Sequence, residues 1–147
     1  GLEAPVTYLD VLEATRGVVP VLEIIDSRIR DWDIEIQDTI ADNASSAAYI
    51  AGETIVPISG TDLSLEGVKL LRNGETAVTG IGASVLGHPA RSVAWLANRL
   101  DDLDERLQAG HVVLSGSLTP AVDIEPGDVL TVEFTSIGTR TVRAGRR

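Results

Sequence analysis

A single carboxylate interrupts an apolar segment near the start of the chain. In "GVVPVLEII", residues 17–25, every position except Glu23 is apolar, proline or glycine. An unpaired charge in a buried strand costs several kcal/mol, so Glu23 must face water, have a cationic partner or bind a ligand. Because glutamate is rarely fully buried, residue type alone favours an exposed side chain or one paired with Arg28 or Arg30.

A second candidate group lies in "ADNASS", where four of the six side chains are short and polar. Asp42, Asn43 and Ser45 belong to the residue types that form turns by hydrogen bonding to nearby backbone groups. A loop shaped in this way can leave one hydroxyl free. We therefore expect Asp42 to be structural and Ser45 to be available for a ligand.

Several common functional motifs fail in this sequence. "GIGASV" lacks the third glycine of a dinucleotide-binding turn, and "DWDIEIQDTIAD" has Ile36 where a calcium loop requires glycine. His88 and His111 have no metal-binding spacing such as HExxH. We interpret both histidines as structural, the first at the start of a helix and the second after its end.

Composition limits the possible partners. The 147 residues include 12 Lys and Arg against 22 Asp and Glu, a net charge of −10. This argues against nucleic acid and anionic membranes, because both require a basic surface. The absence of cysteine excludes disulfides and thiolate metal sites. No segment approaches the ~20 apolar residues of a membrane span and no signal sequence is recognisable, so we expect a cytoplasmic protein with one domain, residues 1–147.

Strands must position most of these candidates. Residues 18–26 predict a buried strand in which Glu23 shares a face with Val19, Val21 and Ile25. Asn73-Gly74 is a strong two-residue turn signal between apolar arms and predicts a hairpin. The predicted strands and hairpins are 18–26, 33–37, 47–52, the hairpin 65–84, 111–118 and the hairpin 124–145.

Two helices complete the prediction. Residues 8–15 form a short helix capped by Thr7, and residues 88–110 form the main helix, with Pro89 in its first turn and Gly110 at its end. This order predicts an α+β fold: a mixed, largely antiparallel rolled sheet or barrel with one main helix packed on it. Residues 139–147 are expected to include a mobile tail.

Four blocks of the sequence together resemble one family. "VLEIIDSRIRDW", "DTIADNASS", "GASVLGHPARSVAWLANRL" and "LQAGHVVLSGSLTPAVDIEPGD" resemble, in order and spacing, the C-terminal half of the 2-keto-4-pentenoate (2-hydroxypenta-2,4-dienoate) hydratases of the fumarylacetoacetate hydrolase superfamily. The resemblance runs from about residue 17 to residue 138. It implies a fumarylacetoacetate hydrolase C-terminal-like fold.

The resemblance implies a divalent metal site. Family members bind Mg²⁺ or Mn²⁺ through three carboxylates, and Glu23 corresponds to the third of them. The other two belong to a Glu-x-Glu pair that should lie just upstream of Gly1, and the catalytic lysine and aspartate are expected further upstream still. By the same resemblance, Ser45, Asn43 and Ser117 are expected to bind substrate.

The activity implied is addition of water to small anionic 2-hydroxy-2,4-dienoates, giving 4-hydroxy-2-oxoalkanoates, in aromatic meta-cleavage catabolism. The parent enzyme is expected to be a homo-oligomer, and this chain alone is expected to be inactive without the missing N-terminal segment. One alternative is the sister 4-oxalocrotonate decarboxylase, against which "RIRDW" and "DTIADNAS" favour the hydratase. Another is a non-catalytic assembly or binding module that lacks the N-terminal ligands.

Overall fold

This computed structural model describes residues 2–145, which form two antiparallel sheets, three α-helices and three single 3-10 turns. The mixed, largely antiparallel α+β class with one main helix is therefore confirmed. In chain order the elements are α1 (Tyr8–Ala14), β1 (Val21–Ile25), α2 (Ile36–Ala41), β2 (Ser46–Ala51), β3 (Gly67–Arg72), β4 (Glu75–Ile81), α3 (Pro89–Asp101), β5 (Val129–Phe134) and β6 (Thr139–Arg143).

The smaller sheet is a two-stranded ribbon formed by β1 and β2. Glu23 lies opposite Tyr49, and the register shifts between Ile24 and Ile25, so that Ile25 pairs with Ser46. An isolated bridge between Val18 and Val56 extends the ribbon at its other end. The predicted strands at 18–26 and 47–52 therefore pair with each other.

The larger sheet has four strands in the order β4-β3-β5-β6, all antiparallel. The predicted turn is confirmed, because Asn73 and Gly74 have φ values of +55° and +88°, as a two-residue hairpin turn requires. Asp128 fixes this turn to the start of β5 by accepting hydrogen bonds from Arg72 Nε and Asn73 Nδ2, both at 2.7 Å. Within residues 2–145 the sheet does not close into a barrel.

The main helix α3 packs its small residues against α1. Ala90, Ala94 and Ala97 form a buried cluster with Val6 and Val11. Both helices begin as the sequence predicts: Thr7 accepts from the Asp10 amide in a capping box, and His88 Nδ1 accepts from the Ala90 amide at 3.1 Å. The structural interpretation of His88 is therefore confirmed.

Two predicted elements are wrong in type or length. Residues 33–37 are not a strand, because Glu35 and Asp38 form a reciprocal capping box that starts α2 at Ile36. The main helix ends at Asp101 rather than near Gly110. The chain leaves the helix through a left-handed cap, in which Asp104 has φ +57° and the Glu105 amide donates to the Leu100 backbone oxygen at 2.9 Å, as is common at helix ends.

Two further predictions need correction. Residues 111–118 form no strand, since this segment has no ladder partner within residues 2–145, and Gly116 adopts φ +110°. The range 139–147 given for a mobile tail is too long, because Thr139–Arg143 pair with β5 as strand β6. Residues 146 and 147 lie outside the described residues.

Replacing Gly82 by alanine should destabilise the fold. A Cβ atom at this position would lie 1.8 Å from the backbone oxygen of Leu63, and the Gly82 amide already donates to Glu66 O at 2.9 Å. Relief requires backbone movement, so we expect a loss of about 1–3 kcal/mol in the free energy of unfolding. Urea unfolding followed by circular dichroism measures it.

The matched control is Gly145→Ala, where the added Cβ meets no atom within 4 Å. Equal unfolding midpoints for the two variants would show that the loop at Leu63 moves away without cost.

Candidate functional site

A large cavity separates the two sheets. Its volume is about 1920 Å³, and its walls come from β1, β3, β5, the start of α3 and the segment 107–126. Pockets for small ligands usually measure about 300–1,000 Å³. The cavity therefore has room for further protein as well as a ligand.

The exposed surface of the chain leads to the same inference. A folded monomer of this mass should expose about 7,200 Å², whereas the chain exposes 9798 Å² at 15.5 kDa. Within residues 2–145 no large side chain is fully buried, and α2 leaves Ile36 and Ile40 73% and 76% exposed. Much apolar surface is thus available for contact with protein outside these residues.

Glu23 lies in the middle of β1 with an exposed side chain and lines the cavity. Of the outcomes that residue type favoured, the exposed side chain is the one found, and the Arg28 guanidinium binds Asp42 instead of Glu23. Among residues 2–145, Glu23 takes part in none of the ion pairs or side-chain hydrogen bonds. Its carboxylate is therefore free to bind a ligand in the cavity.

The carboxylate oxygens in this part of the chain are the type of ligand that a hard divalent cation prefers, but there are too few of them to form a metal site. Mg²⁺ prefers oxygen ligands, which Glu23 provides, and Asp26 lines the same cavity three residues later. Within residues 2–145, however, no three acidic or histidine side chains come together as a metal site. Further ligands would have to come from outside these residues.

Asn43 and Ser45 lie in a tight turn between α2 and β2. The Ser45 backbone oxygen accepts from the Asp26 amide at 2.9 Å, so the turn adjoins the end of β1 and the edge of the cavity without lining it. Asn43 is exposed and Ser45 is buried. Residues 43, 44 and 45 all have positive φ, from +53° to +56°, a conformation that costs non-glycine residues of order 1–3 kcal/mol each.

Asp42 holds this strained turn in place. Its carboxylate accepts from Arg28 Nε, from the Arg28 amide at 3.2 Å, and from the hydroxyls of Ser27 and Ser45, each at 3.2 Å. Asp42 thus has the structural position expected from the sequence. The Ser45 hydroxyl is not free, however, because it donates to Asp42.

The charge state of Asp42 follows from these contacts. Burial acts to raise the pKa of the Asp42 carboxyl. The hydrogen bonds from Arg28, its positive charge and the hydrogen bond from Ser45 outweigh burial and hold the pKa below its usual range. Asp42 is therefore ionised at neutral pH and acts only as an acceptor.

Ser117 is an exposed residue of the cavity wall. Its hydroxyl donates to the backbone oxygen of Thr119 at 2.7 Å, within a turn that includes Gly116. The structure therefore brings Ser117 and Glu23 to the same cavity and places Asn43 and Ser45 at its edge.

Sequence reasoning missed one polar group of the cavity wall. Glu66 is only 5% exposed and accepts from Ser136 N at 2.7 Å, from the Ser136 hydroxyl and from Ile137 N at 3.3 Å. It fastens the β5–β6 turn to the start of β3. A carboxylate directly before a strand was the only available signal, and most such glutamates are exposed.

Acidification should remove the stability that Asp42 provides. A carboxyl whose pKa is lowered by folding stabilises the fold above its unfolded pKa, about 3.9, and loses this effect as pH falls through the folded pKa. Asp42→Asn should lower the melting temperature by a constant amount between pH 7 and pH 5, and the gap should narrow as the pH falls below about 3.9 and through the lowered folded pKa. Thermal unfolding followed by circular dichroism tests this.

Asp33→Asn is the control, because the exposed Asp33 side chain makes none of the hydrogen bonds found among residues 2–145. Its melting temperature should stay close to that of the wild type. A gap for Asp42→Asn that grows on acidification would contradict the lowered pKa.

Comparison with known proteins finds one matching family and several similar enzymes. Residues 5–143 match the family described as Fumarylacetoacetate (FAA) hydrolase C-terminal. A 2-keto-4-pentenoate hydratase from Paraburkholderia xenovorans (strain LB400) is 48% identical over 132 residues, covering 90% of this chain and 49% of that protein. A 2-hydroxyhexa-2,4-dienoate hydratase from Comamonas testosteroni is 44% identical over 143 residues, covering 97% of this chain and 54% of that protein.

The fold matches a solved enzyme structure. The 4-oxalocrotonate decarboxylase from Pseudomonas putida G7, complexed with magnesium and adipate, aligns with a TM-score of 0.90 and 39% identity over 93% of this chain and 52% of that chain. Another structure of the decarboxylase was solved with calcium and acetate. The chain spans about half the length of these relatives. The resemblance seen in the sequence is thus confirmed, and the chain belongs to the fumarylacetoacetate hydrolase family, in which it corresponds to the C-terminal region.

Proposed function

We propose that this chain is the C-terminal part of a divalent-metal-dependent hydratase. The parent enzyme would add water to 2-hydroxy-2,4-dienoates and give 4-hydroxy-2-oxoalkanoates in aromatic meta-cleavage catabolism. The observation that carries the proposal is Glu23, a carboxylate without an ion pair in residues 2–145 that lines a large, mainly apolar cavity. Hydratases that are 48% and 44% identical to this chain are compatible with the proposal, and 4-oxalocrotonate decarboxylases that are 44% and 41% identical are equally compatible with the second candidate below.

Glu23 is the residue of this chain that would hold the metal, together with carboxylates from outside residues 2–145. A bound Mg²⁺ or Mn²⁺ supplies Lewis-acid chemistry to an anionic, oxygen-rich substrate. The decarboxylase structures with magnesium and calcium support a divalent cation in this family. Both Mg²⁺ and Mn²⁺ suit carboxylate oxygen.

The other residues of this chain would bind and enclose the substrate. Ser117 presents a polar group on the cavity wall, and Asn43 and Ser45 lie in the turn at the edge of the cavity. Apolar side chains of β3 and β5, among them Leu70 and Val132, line the cavity and would exclude water once further protein covers it. Exclusion of water strengthens every electrostatic interaction with the small dienoate anion.

The cavity is larger than a small ligand needs, and we assign the additional volume to further protein of the parent enzyme. We infer that an N-terminal segment carries the missing ligands and catalytic groups and covers the apolar walls. The exposed surface on α2 is consistent with a homo-oligomeric parent, because large exposed apolar patches mark protein interfaces. On this proposal residues 1–147 alone do not turn over substrate.

The second candidate is 4-oxalocrotonate decarboxylase activity, which the TM-score of 0.90 to a decarboxylase supports. The segments "RIRDW" and "DTIADNAS" favour the hydratase. A non-catalytic module is the third candidate, and turnover by the intact protein would exclude it.

The intact protein should hydrate a dienoate rather than release CO₂. We expect Mg²⁺-dependent loss of diene absorbance with 2-hydroxypenta-2,4-dienoate and no CO₂ release from 4-oxalocrotonate. Residues 1–147 in the same assay should show no turnover. CO₂ release from the second compound, with the first untouched, would identify a decarboxylase, and turnover by residues 1–147 alone would show that the ligands are misplaced.

Glu23→Gln should abolish metal-dependent turnover without unfolding the protein. The side chain is exposed, so the substitution leaves packing intact, while the neutral amide is a poor ligand for Mg²⁺. Mg²⁺ affinity should fall by at least the factor of about 10–100 that even outer-shell changes cause. Isothermal titration and initial rates at limiting Mg²⁺ measure both effects.

Glu75→Gln provides the control, since Glu75 is an exposed glutamate of β4 outside the cavity lining. Unchanged Mg²⁺ affinity and activity in Glu23→Gln would remove Glu23 from the metal site.

A further inference from the structure

The turn between β3 and β4 carries a reactive pair of residues, Asn73-Gly74. Asparagine followed by glycine deamidates readily, because glycine has no side chain to obstruct its own backbone nitrogen. In this reaction the Gly74 nitrogen attacks Asn73 Cγ, the side-chain nitrogen leaves as ammonia, and a five-membered succinimide ring closes. Water then opens the ring at either carbonyl and leaves an aspartyl or an isoaspartyl residue.

The folded turn meets two of the three requirements of this reaction. Asn73 and Gly74 are exposed, so water reaches both of them. Within residues 2–145 the Gly74 amide donates to no other backbone group, so the attacking nitrogen is not held elsewhere. The third requirement is that the Asn73 carboxamide turns back against its own backbone.

The carboxamide is instead bound to the start of β5. Asn73 Nδ2 donates to Asp128 Oδ1 at 2.7 Å, and Asn73 Oδ1 accepts from the Val129 amide at 2.9 Å. The Asn73 amide also donates to the Val129 backbone oxygen at 2.8 Å. Movement of the carboxamide toward Gly74 would break both side-chain bonds, of which the bond to the carboxylate is the stronger.

Asp128 is itself held firmly in this position. Its Oδ2 atom accepts from Arg72 Nε at 2.7 Å and from the Glu125 amide at 2.8 Å, and the residue is only 8% exposed. The hydrogen bond from Asn73, followed by those from Glu125 and Arg72, holds the pKa of the Asp128 carboxyl below its usual range although burial acts to raise it. Asp128 is therefore a fixed, ionised acceptor at neutral pH.

We propose that Asn73-Gly74 is a deamidation site that Asp128 holds closed in the folded protein. Local opening of the turn, or loss of the Asp128 contact, releases the carboxamide and starts the reaction. The site lies in the larger sheet and is separate from the candidate metal site at Glu23.

The products do not fit the turn from which they arise. A carboxylate at position 73 would put an oxygen where Nδ2 now lies, 2.7 Å from Asp128 Oδ1, and two like charges this close are unfavourable. Arg72 already pairs with Asp128 and, at 3.8 Å, with Glu125. An isoaspartyl residue also adds one carbon atom to the backbone of a turn whose length sets the strand register. Deamidation therefore makes opening of this hairpin irreversible.

The test measures the deamidation rate at Asn73 in the intact protein, in native buffer and in urea. Peptide mapping by mass spectrometry identifies the replacement of the side-chain NH₂ by OH at this position. In native buffer the rate should be at least about tenfold lower than in urea, because a hydrogen bond to a charged group changes an equilibrium about 10- to 100-fold. Equal rates in the two conditions would overturn the inference.

Asp128→Ala should raise the rate in native buffer about 10- to 100-fold. Asp42→Ala is the matched control, since Asp42 is as buried as Asp128, 7% against 8% exposed, and likewise accepts from an arginine Nε. It lies at the α2–β2 turn, so its loss lowers stability without releasing Asn73. Equal acceleration in the two variants would assign the protection to overall stability and overturn the role of Asp128.

A charge swap tests the contact without measuring deamidation. Asn73→Asp should lower the melting temperature through repulsion from Asp128. Adding Asp128→Asn should recover most of this loss, because donor and acceptor then exchange places while the bonds from Arg72 and Glu125 keep an oxygen acceptor. Thermal unfolding followed by circular dichroism measures both variants. Absence of recovery would show that the two side chains do not hold each other and would overturn the inference.

The remaining outcomes are also decisive. If Asp128→Ala does not fold, the charge swap and the ratio of the native rate to the urea rate decide. A folded Asp128→Ala protein with the wild-type rate overturns the protective role. Absence of deamidation at Asn73 in urea would show that the position is not a modification site.

Discussion

The antiparallel pairing of β1 with β2 is the constraint on which the candidate site depends. This ribbon carries Glu23 in its middle and Ser45 at its end, and two paired strands alone are only marginally stable in water. The Val18–Val56 bridge supports one end, and the bonds from Arg28 to Asp42 support the other. The geometry of the site therefore depends on a few polar contacts rather than on a thick apolar core.

The four-stranded sheet is built differently. It has three antiparallel ladders, two buried carboxylates that fasten its turns, and an apolar face toward the cavity. A sheet of this size with one apolar face can be stable independently. The molecule thus combines a firm sheet with a weaker ribbon, and the space between them is where a ligand and further protein would bind.

The strongest local signals predicted structure well. Asn73-Gly74 identified its hairpin because few other dipeptides tolerate two consecutive positive φ values, and Thr7 identified the start of α1 through a capping box. Prediction failed where a helix cap or the lack of a partner strand overrides the local sequence pattern. The alternating pattern of residues 33–37 was overridden by a cap at Glu35, and residues 111–118 look like a strand in sequence but lack a partner strand in residues 2–145.

The candidate site was predictable only in part. Family resemblance pointed to Glu23 as a metal ligand, which stays a prediction, and the structure adds that Arg28 pairs with Asp42 and not with Glu23. The importance of Asp42 as an acceptor for four donors was hidden, because its partners come from segments about 15 residues apart in sequence. Glu66 was missed for a related reason, since its partner Ser136 is 70 residues away.

The sharing of one carboxylate also limits how this region can change by mutation. Ser27, Arg28 and Ser45 all donate to Asp42, so replacing Asp42 leaves several donors without a partner at once, while replacing any one donor has a smaller effect. Substitutions at these four positions should therefore be strongly epistatic. During divergence the aspartate can be exchanged only after its donors have changed, which gives evolutionary paths through this turn a preferred order.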